Sequence, residues 1–211
     1  MERYWSRFSA DLAEREVYTV GRELVECVRG RLKEQRDLGD LIEFGCGTGV
    51  YTASVVGQAR SVLATDYSAE MVTETAKNFA GEPKVRVERA DCQQLNYSDG
   101  SFDTVLMVNL IHVIPYPGQA LLEAYRVLRK NGVLLVTSFS TEKMTLWRKL
   151  QLLYRYRKTF GPFPERRTMF TEASLSKMVI GAGFTLDETL LLGETTRSVF
   201  LKAVKHDPGD S

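Results

Sequence analysis

The sequence predicts an α/β fold built on an open, doubly wound sheet, and three observations carry that prediction. Helical and strand-like hydrophobic patterns alternate over most of the 211 residues, the order that sandwiches parallel strands between layers of helix. A glycine-rich loop, Gly45-Cys46-Gly47-Thr48-Gly49, joins the first strand pattern to a helix. The last two strand patterns are separated only by Gly193-Glu194-Thr195-Thr196, so short a connection that they must run antiparallel.

Taken in order, residues from about 10 to 36 read as one helix with an apolar stripe of Leu12, Val20, Leu24, Cys27, Val28 and Leu32. Asp40 to Phe44 is a strand that runs into the glycine loop, and Val50 to Gln58 is the helix behind it. Ser61 to Thr65 is a second strand ending at Asp66, and Ser68 is placed to cap a helix to Phe79. Val85 to Arg89 is a third strand, ending at Ala90-Asp91-Cys92, and Phe102 to Val108 has the unbroken apolar run of a central strand. Pro117 to Leu128 is a helix stopped at Asn131-Gly132, followed by a fifth strand from Val133 to Ser138. After a basic segment and a last helix, Phe184 to Leu192 and Arg197 to Lys205 form the closing hairpin. The expected organisation is a single domain, 1–211, with an N-terminal helical cap over about 1–37 and a lid-like insertion over about 141–171.

Composition bounds the function. Hydrophobic residues make up 44% and charged residues 26%, the balance of a globular protein. The net charge of +1 gives no overall pull towards nucleic acid or an acidic membrane. Cys27, Cys46 and Cys92 are too few and too scattered for a disulfide framework, and with only His112 and His206 besides them no metal-binding spacing arises. No stretch approaches the roughly 20 apolar residues of a membrane span, and the N-terminus lacks a secretory signal pattern. The expectation is a cytoplasmic protein with no metal, no stable membrane insertion and no nucleic-acid partner.

The ends of the strands carry the chemistry. Glycines between a strand and a helix permit positive φ and close approach of backbone to a ligand. Dinucleotide-binding loops also carry glycines, but in the pattern GxGxxG; here the spacing is GxGxG, with Val50 at the next position. Asp66, about 20 residues on, is placed to accept both hydroxyls of a ribose. Asp91 beside the backbone N–H of Cys92 suits the amine and ring nitrogen of adenine. Each carboxylate alone also reads as a solvated surface group; their joint placement after consecutive strands favours a cofactor site.

Four segments together resemble class I S-adenosylmethionine-dependent methyltransferases: Ile42 to Gly49, Thr65-Asp66-Tyr67-Ser68, Ala90-Asp91-Cys92, and Tyr125 to Gly132. The resemblance covers roughly residues 38 to 140 and is nearest to the branch of ubiquinone- and menaquinone-biosynthesis and small-molecule enzymes. It implies a Rossmann-like sheet of seven strands, mostly parallel, and S-adenosylmethionine as cofactor. It further implies that Gly45 and Gly47, in a loop with Cys46 and Gly49, lie against the methionine part. Asp66 would bind ribose with Tyr67 nearby, Asp91 and Cys92 would bind adenine, and Met71 would pack on the adenine face. Glu43 would contact the methionine amino group, directly or through water. Asn131-Gly132 replaces the family's usual Pro-Gly or Gly-Gly, and His112 stands alone where the family often has paired histidines.

Transfer from a sulfonium needs alignment more than acid–base help, so catalytic residues are hard to read from sequence. His112, just past the fourth strand, reads as a base or acceptor-orienting group, or as a structural histidine at a strand end. Asn109 reads as a ligand of the cofactor amino group or as a turn residue. Tyr4, Trp5 and Phe8 read as an aromatic lid folded over the cofactor, with Tyr4 and Trp5 as candidates for substrate contact, or as a staple for the first helix. The segment from Thr141 to Arg167 is aromatic and basic. Arg155, Arg157, Arg166 or Arg167 would suit a carboxylate or phosphate on the acceptor, with Arg166 and Arg167 the chosen candidates. A basic amphipathic helix resting on a membrane to reach a lipophilic acceptor is a further reading, and a plain solvated face is another.

The function expected is methyl transfer to a small molecule, anionic or lipophilic, by in-line displacement. The alternatives are an RNA or protein methyltransferase, a non-catalytic S-adenosylmethionine-binding subunit, and a nicotinamide-dependent oxidoreductase. The glycine spacing and the closing hairpin count against the last.

Overall fold

The computed structural model describes residues 2–164 and 167–206. Its centre is a seven-stranded sheet. The strands are β1 (Gly39–Phe44), β2 (Ala59–Asp66), β3 (Val85–Arg89), β4 (Phe102–Val108), β5 (Leu128–Ser140), β6 (Thr185–Leu192) and β7 (Arg197–Val204). Their spatial order is β3-β2-β1-β4-β5-β7-β6. The first five pair in parallel, and β7 inserts antiparallel between β5 and β6. Strand order reverses between β1 and β4, which is where an open α/β sheet presents a crevice.

Period-two alternation divides the central strands between two cores. Val105 and Met107 of β4, Leu134 and Val136 of β5, and Val199 and Leu201 of β7 face one layer. That layer holds α6 (Pro117–Val127) and α8 (Glu172–Gly181). Leu106, Val108, Leu135 and Phe200 face the other, which holds α3 (Arg22–Lys33), the end of α2 (Leu12–Val20) and the short α4 (Thr52–Val55). Strands buried on both faces read as continuous apolar runs, as Phe102 to Val108 does. The helix α5 (Ala69–Asn78) begins where Ser68 Oγ accepts the Met71 N–H at 3.2 Å, the cap expected from the sequence.

Three expected boundaries move. The single helix over about 10 to 36 is two helices, α2 and α3, broken at Gly21, whose φ of 92° no helix interior contains. A further turn, α1 (Glu2–Trp5), precedes them. The helix expected over Val50 to Gln58 is the four residues of α4 followed by a 3₁₀ turn to Gln58. The fifth strand starts at Leu128 because that residue already pairs with Phe102, and an irregularity then absorbs Asn131, with φ of 59°, before Val133 pairs with Thr104. The basic segment forms α7 (Leu146–Phe160), capped by Thr145. Among the described residues, no helix is long and apolar enough to cross a membrane.

Candidate cofactor and acceptor site

The loop after β1 is fixed by backbone geometry. Gly45 and Gly47 have φ of 69° and 55°, and a Cβ on Gly45 would meet Leu110 at 2.6 Å. The Cys46 N–H donates to the Thr65 carbonyl, the Gly47 N–H donates to Asp66 Oδ2 at 3.0 Å, and Thr75 Oγ1 donates to the Gly47 carbonyl. Asp66 Oδ1 accepts the Ser68 N–H at 2.9 Å. The β1 loop, the end of β2 and the start of α5 thus hold one another, with the Asp66 carboxylate on a cavity wall. Burial raises the Asp66 pKa, and the backbone donors oppose that rise.

The cavity has a volume of about 590 Å³, within the range of small-molecule sites. One end is lined by Gly45, Cys46, Gly47, Asp66, Tyr67, Met71, Asp91 and Cys92. Asp91 Oδ1 is held by the N–H of Gln93, whose side chain joins the wall. Met71 is buried, and burial pushes the Cys92 thiol up to about 12. The other end is lined by Trp5, His112, Phe139, Tyr156, Phe160, Phe163 and Arg167.

Between the ends lies a polar group in which the sequence singled out Asn109 but not Glu16 or Tyr51. Glu16 of α2 accepts hydrogen bonds from the Tyr51 hydroxyl at 2.7 Å and from Asn109 Nδ2 at 2.8 Å, and all three line the cavity. Burial raises the Glu16 pKa despite those two donors. Asn109 closes β4 with φ of 53°, and its Oδ1 is buried without a hydrogen-bond partner among the described residues. The signal for Glu16 was present: it lies four residues from both Leu12 and Val20, a carboxylate inside an apolar stripe. Gln93 and Arg197, which also line the cavity, had no such mark.

Several expected site residues lie elsewhere. Glu43 stands behind the loop, buried and accepting from Thr52 Oγ1, and not in the cavity wall. Its burial pushes its carboxyl up to about 7. Gly49 is also outside the wall; its missing Cβ makes room for the Phe79 ring, which a Cβ would approach at 2.6 Å. Tyr4 does not reach the cavity either, because its hydroxyl donates towards the carbonyls of Pro162 (2.9 Å) and Phe160 (3.2 Å) and meets the Tyr156 hydroxyl. Arg166 lies outside the described residues.

His112 and Arg167 are brought together. Burial first, and the Arg167 charge second, push His112 down to about 4, so its imidazole is neutral near pH 7. Its Nδ1 is buried without a partner among the described residues, and its ring packs edge-on to Phe139.

Residues 42–136 match the model of a methyltransferase domain. Over 127 residues the chain is 32% identical to the phosphatidylethanolamine N-methyltransferase of Cereibacter sphaeroides, an alignment covering 58% of this chain and 62% of that protein. Over 114 residues it is 30% identical to the demethylmenaquinone methyltransferase of Clavibacter sepedonicus, covering 54% and 46%. Residues 42–136 are thus a methyltransferase domain, in line with the resemblance to class I S-adenosylmethionine-dependent enzymes. A crystal structure of an S-adenosylmethionine-dependent methyltransferase of Thermotoga maritima shares the fold of this methyltransferase domain. Its TM-score is 0.74 at 24% identity, over 97% of this chain and 100% of that one. The curated relatives are matched over less than two thirds of their own length.

The cavity of the methyltransferase domain fits its cofactor, S-adenosylmethionine. Gly45 and Gly47 leave bare backbone on the cavity wall, where a Cβ would crowd Leu110 and Leu12, Asp66 presents acceptors to a diol, and the unpartnered Asn109 Oδ1 beside the Glu16 carboxylate suits an ammonium group.

Proposed function

We propose that the protein is an S-adenosylmethionine-dependent methyltransferase acting on a small, largely lipophilic acceptor that carries a polar or anionic group. The observation that carries this reading is the continuity of one cavity. It joins the glycine loop and Asp66 to a compartment walled by aromatic rings, with the neutral His112 and the Arg167 guanidinium among its polar features.

When bound, S-adenosylmethionine supplies a methyl group on a positively charged sulfur, already activated for displacement. The chain's work is then to hold, align and exclude water. Asp66, oriented by the Gly47 and Ser68 amides, holds the ribose hydroxyls; Asp91, Cys92 and Gln93 take the adenine edge, and Met71 takes its face. Asn109, a candidate for the methionine amino group from the sequence, takes it together with Glu16, which has the part expected of Glu43. His112, with a pKa near 4, is a weak base; its Nδ1 orients the acceptor by accepting a hydrogen bond. Arg167 faces an anionic substituent. The cap helices and α7 close the acceptor compartment in this reading. Free thiols at Cys27, Cys46 and Cys92 suit a reducing cytoplasm.

Calorimetric titration with S-adenosylhomocysteine, run beside NADH, tests the first half of this reading. Micromolar binding of the first and none of the second is expected; the reverse result removes the proposal. Transfer of labelled methyl to a panel of small lipophilic acids and amines tests the second half. Labelling of RNA or protein instead, or of nothing despite tight cofactor binding, overturns the acceptor class.

A further inference from the structure

The helix α7 has two apolar stripes, and among the described residues one packs into the molecule while most of the other is exposed. Leu152, Tyr156 and Phe160 face the cavity. Leu146, Trp147, Leu150, Leu153 and Tyr154 form a second stripe at helical spacing. This stripe lies in solvent, with Leu146, Trp147 and Tyr154 at 73%, 68% and 65% exposure. So concentrated a set of large apolar side chains on one exposed face marks an interaction surface.

Its surroundings indicate the partner. The helix carries Arg148, Lys149, Arg155, Arg157 and Lys158 and no acidic residue, in a chain whose net charge is only +1. Lys149, Arg157 and Lys158 are exposed beside the stripe, as is Arg167. Tyr18, itself exposed, extends the patch under the Lys158 ammonium at 5.6 Å. An apolar stripe flanked by cations is the pattern that lies in the interface of an anionic bilayer. The stripe also leads inward, because Leu153, Lys149 and Met169 are exposed on the surface and line the cavity.

We infer that the outer face of α7 docks the protein on an anionic lipid surface, with the cavity mouth turned to the bilayer. The inference deepens the acceptor reading and rests on it: a lipophilic acceptor dissolved in the bilayer reaches the cavity past Leu153 and Met169 without crossing water. Docking needs no spanning helix, since side chains at the depth of the headgroups suffice.

The test is co-sedimentation of the protein with vesicles of phosphatidylglycerol and phosphatidylcholine, against vesicles of phosphatidylcholine alone. Binding to the anionic vesicles, weakened by salt, and a blue shift of Trp147 fluorescence are expected. The variant Leu146→Ser/Trp147→Ser/Leu150→Ser touches no cavity residue; it should lose about tenfold or more of the vesicle affinity and keep its affinity for S-adenosylhomocysteine. Absence of wild-type binding, or equal binding by the variant, overturns the inference. So does a wild-type dimer that the triple variant dissolves while neither protein binds vesicles, because the face would then join two copies. The vesicles contain no acceptor, so failure of every acceptor assay would sink the acceptor reading while leaving this measurement intact.

Discussion

The two ends of the cavity are built by different means. The cofactor end is made of backbone and short side chains at consecutive strand ends, where positive-φ glycines and main-chain amides set each position. The acceptor end is made of side chains from segments far apart in sequence. There Trp5 and Phe8 pack edge-on against Phe160, the Arg7 guanidinium donates to the Phe160 carbonyl, and Arg15 donates to the Thr159 carbonyl. Backbone geometry is hard to alter without unfolding, whereas side-chain contacts change one at a time. The difference means that the second end can be altered by substitution while the first is kept.

Substitutions can break this contrast, beginning where the effect is greatest. Gly45→Val puts a β-branched residue at φ of 69° with its Cβ 2.6 Å from Leu110. It should cost about 2–4 kcal/mol of stability in urea unfolding. A neutral outcome would mean that the loop is pliable and the contrast false. Asp66→Ala removes a charged acceptor and should weaken S-adenosylhomocysteine binding by about 1.5–3 kcal/mol in calorimetry. Unchanged affinity in a folded variant would refute the ribose contact.

A third change separates the wall from what lies behind it. The Glu43 carboxyl is raised from 4.5 to about 7 by burial, so the stability it contributes is full below about pH 4.5 and is lost as pH rises through 7. Glu43→Gln, which never ionises, should match wild type near pH 4.5 and exceed it by about 1–3 kcal/mol at pH 8. Denaturant midpoints at the two pH values check this; no pH-dependent gap would place the glutamate in contact with a compensating charge. The smallest effect is expected at the acceptor end. Tyr4→Phe loses one hydroxyl latch, about 0.5–1 kcal/mol, seen as faster amide exchange over Thr159 to Gly161 with cofactor affinity unaltered. Loss of cofactor affinity there would mean that the two ends are coupled.

The same contrast decides what could be read before folding. Gly45, Gly47, Asp66 and Asp91 were legible because a strand, a tight loop and a helix start are adjacent in sequence, and their chemistry is local. The antiparallel hairpin was legible from its four-residue connection, but the insertion of β7 between β5 and β6 was not, since a hairpin alone does not say which strand meets the sheet. Gly21 was hidden inside an apolar stripe that continues on both sides of the break. Tyr4 and Trp5 looked equivalent, one residue apart, yet Trp5 lines the cavity while the Tyr4 hydroxyl turns away to Pro162. Glu16 gains its meaning only when Asn109, 93 residues later, arrives beside it.

The ties between the N-terminal helices and α7 also constrain anyone who would redesign the protein. Replacing residues 141–169 with the corresponding stretch of a relative would disturb the Thr159 to Pro162 carbonyls that accept from the Tyr4 hydroxyl and the Arg7 guanidinium, and would leave Arg15 with its Asp11 partner alone. A working chimera must therefore exchange two pieces far apart in the chain as a matched set. The glycine at position 21, a joint between the movable piece and the fixed scaffold, is the natural seam for the first cut.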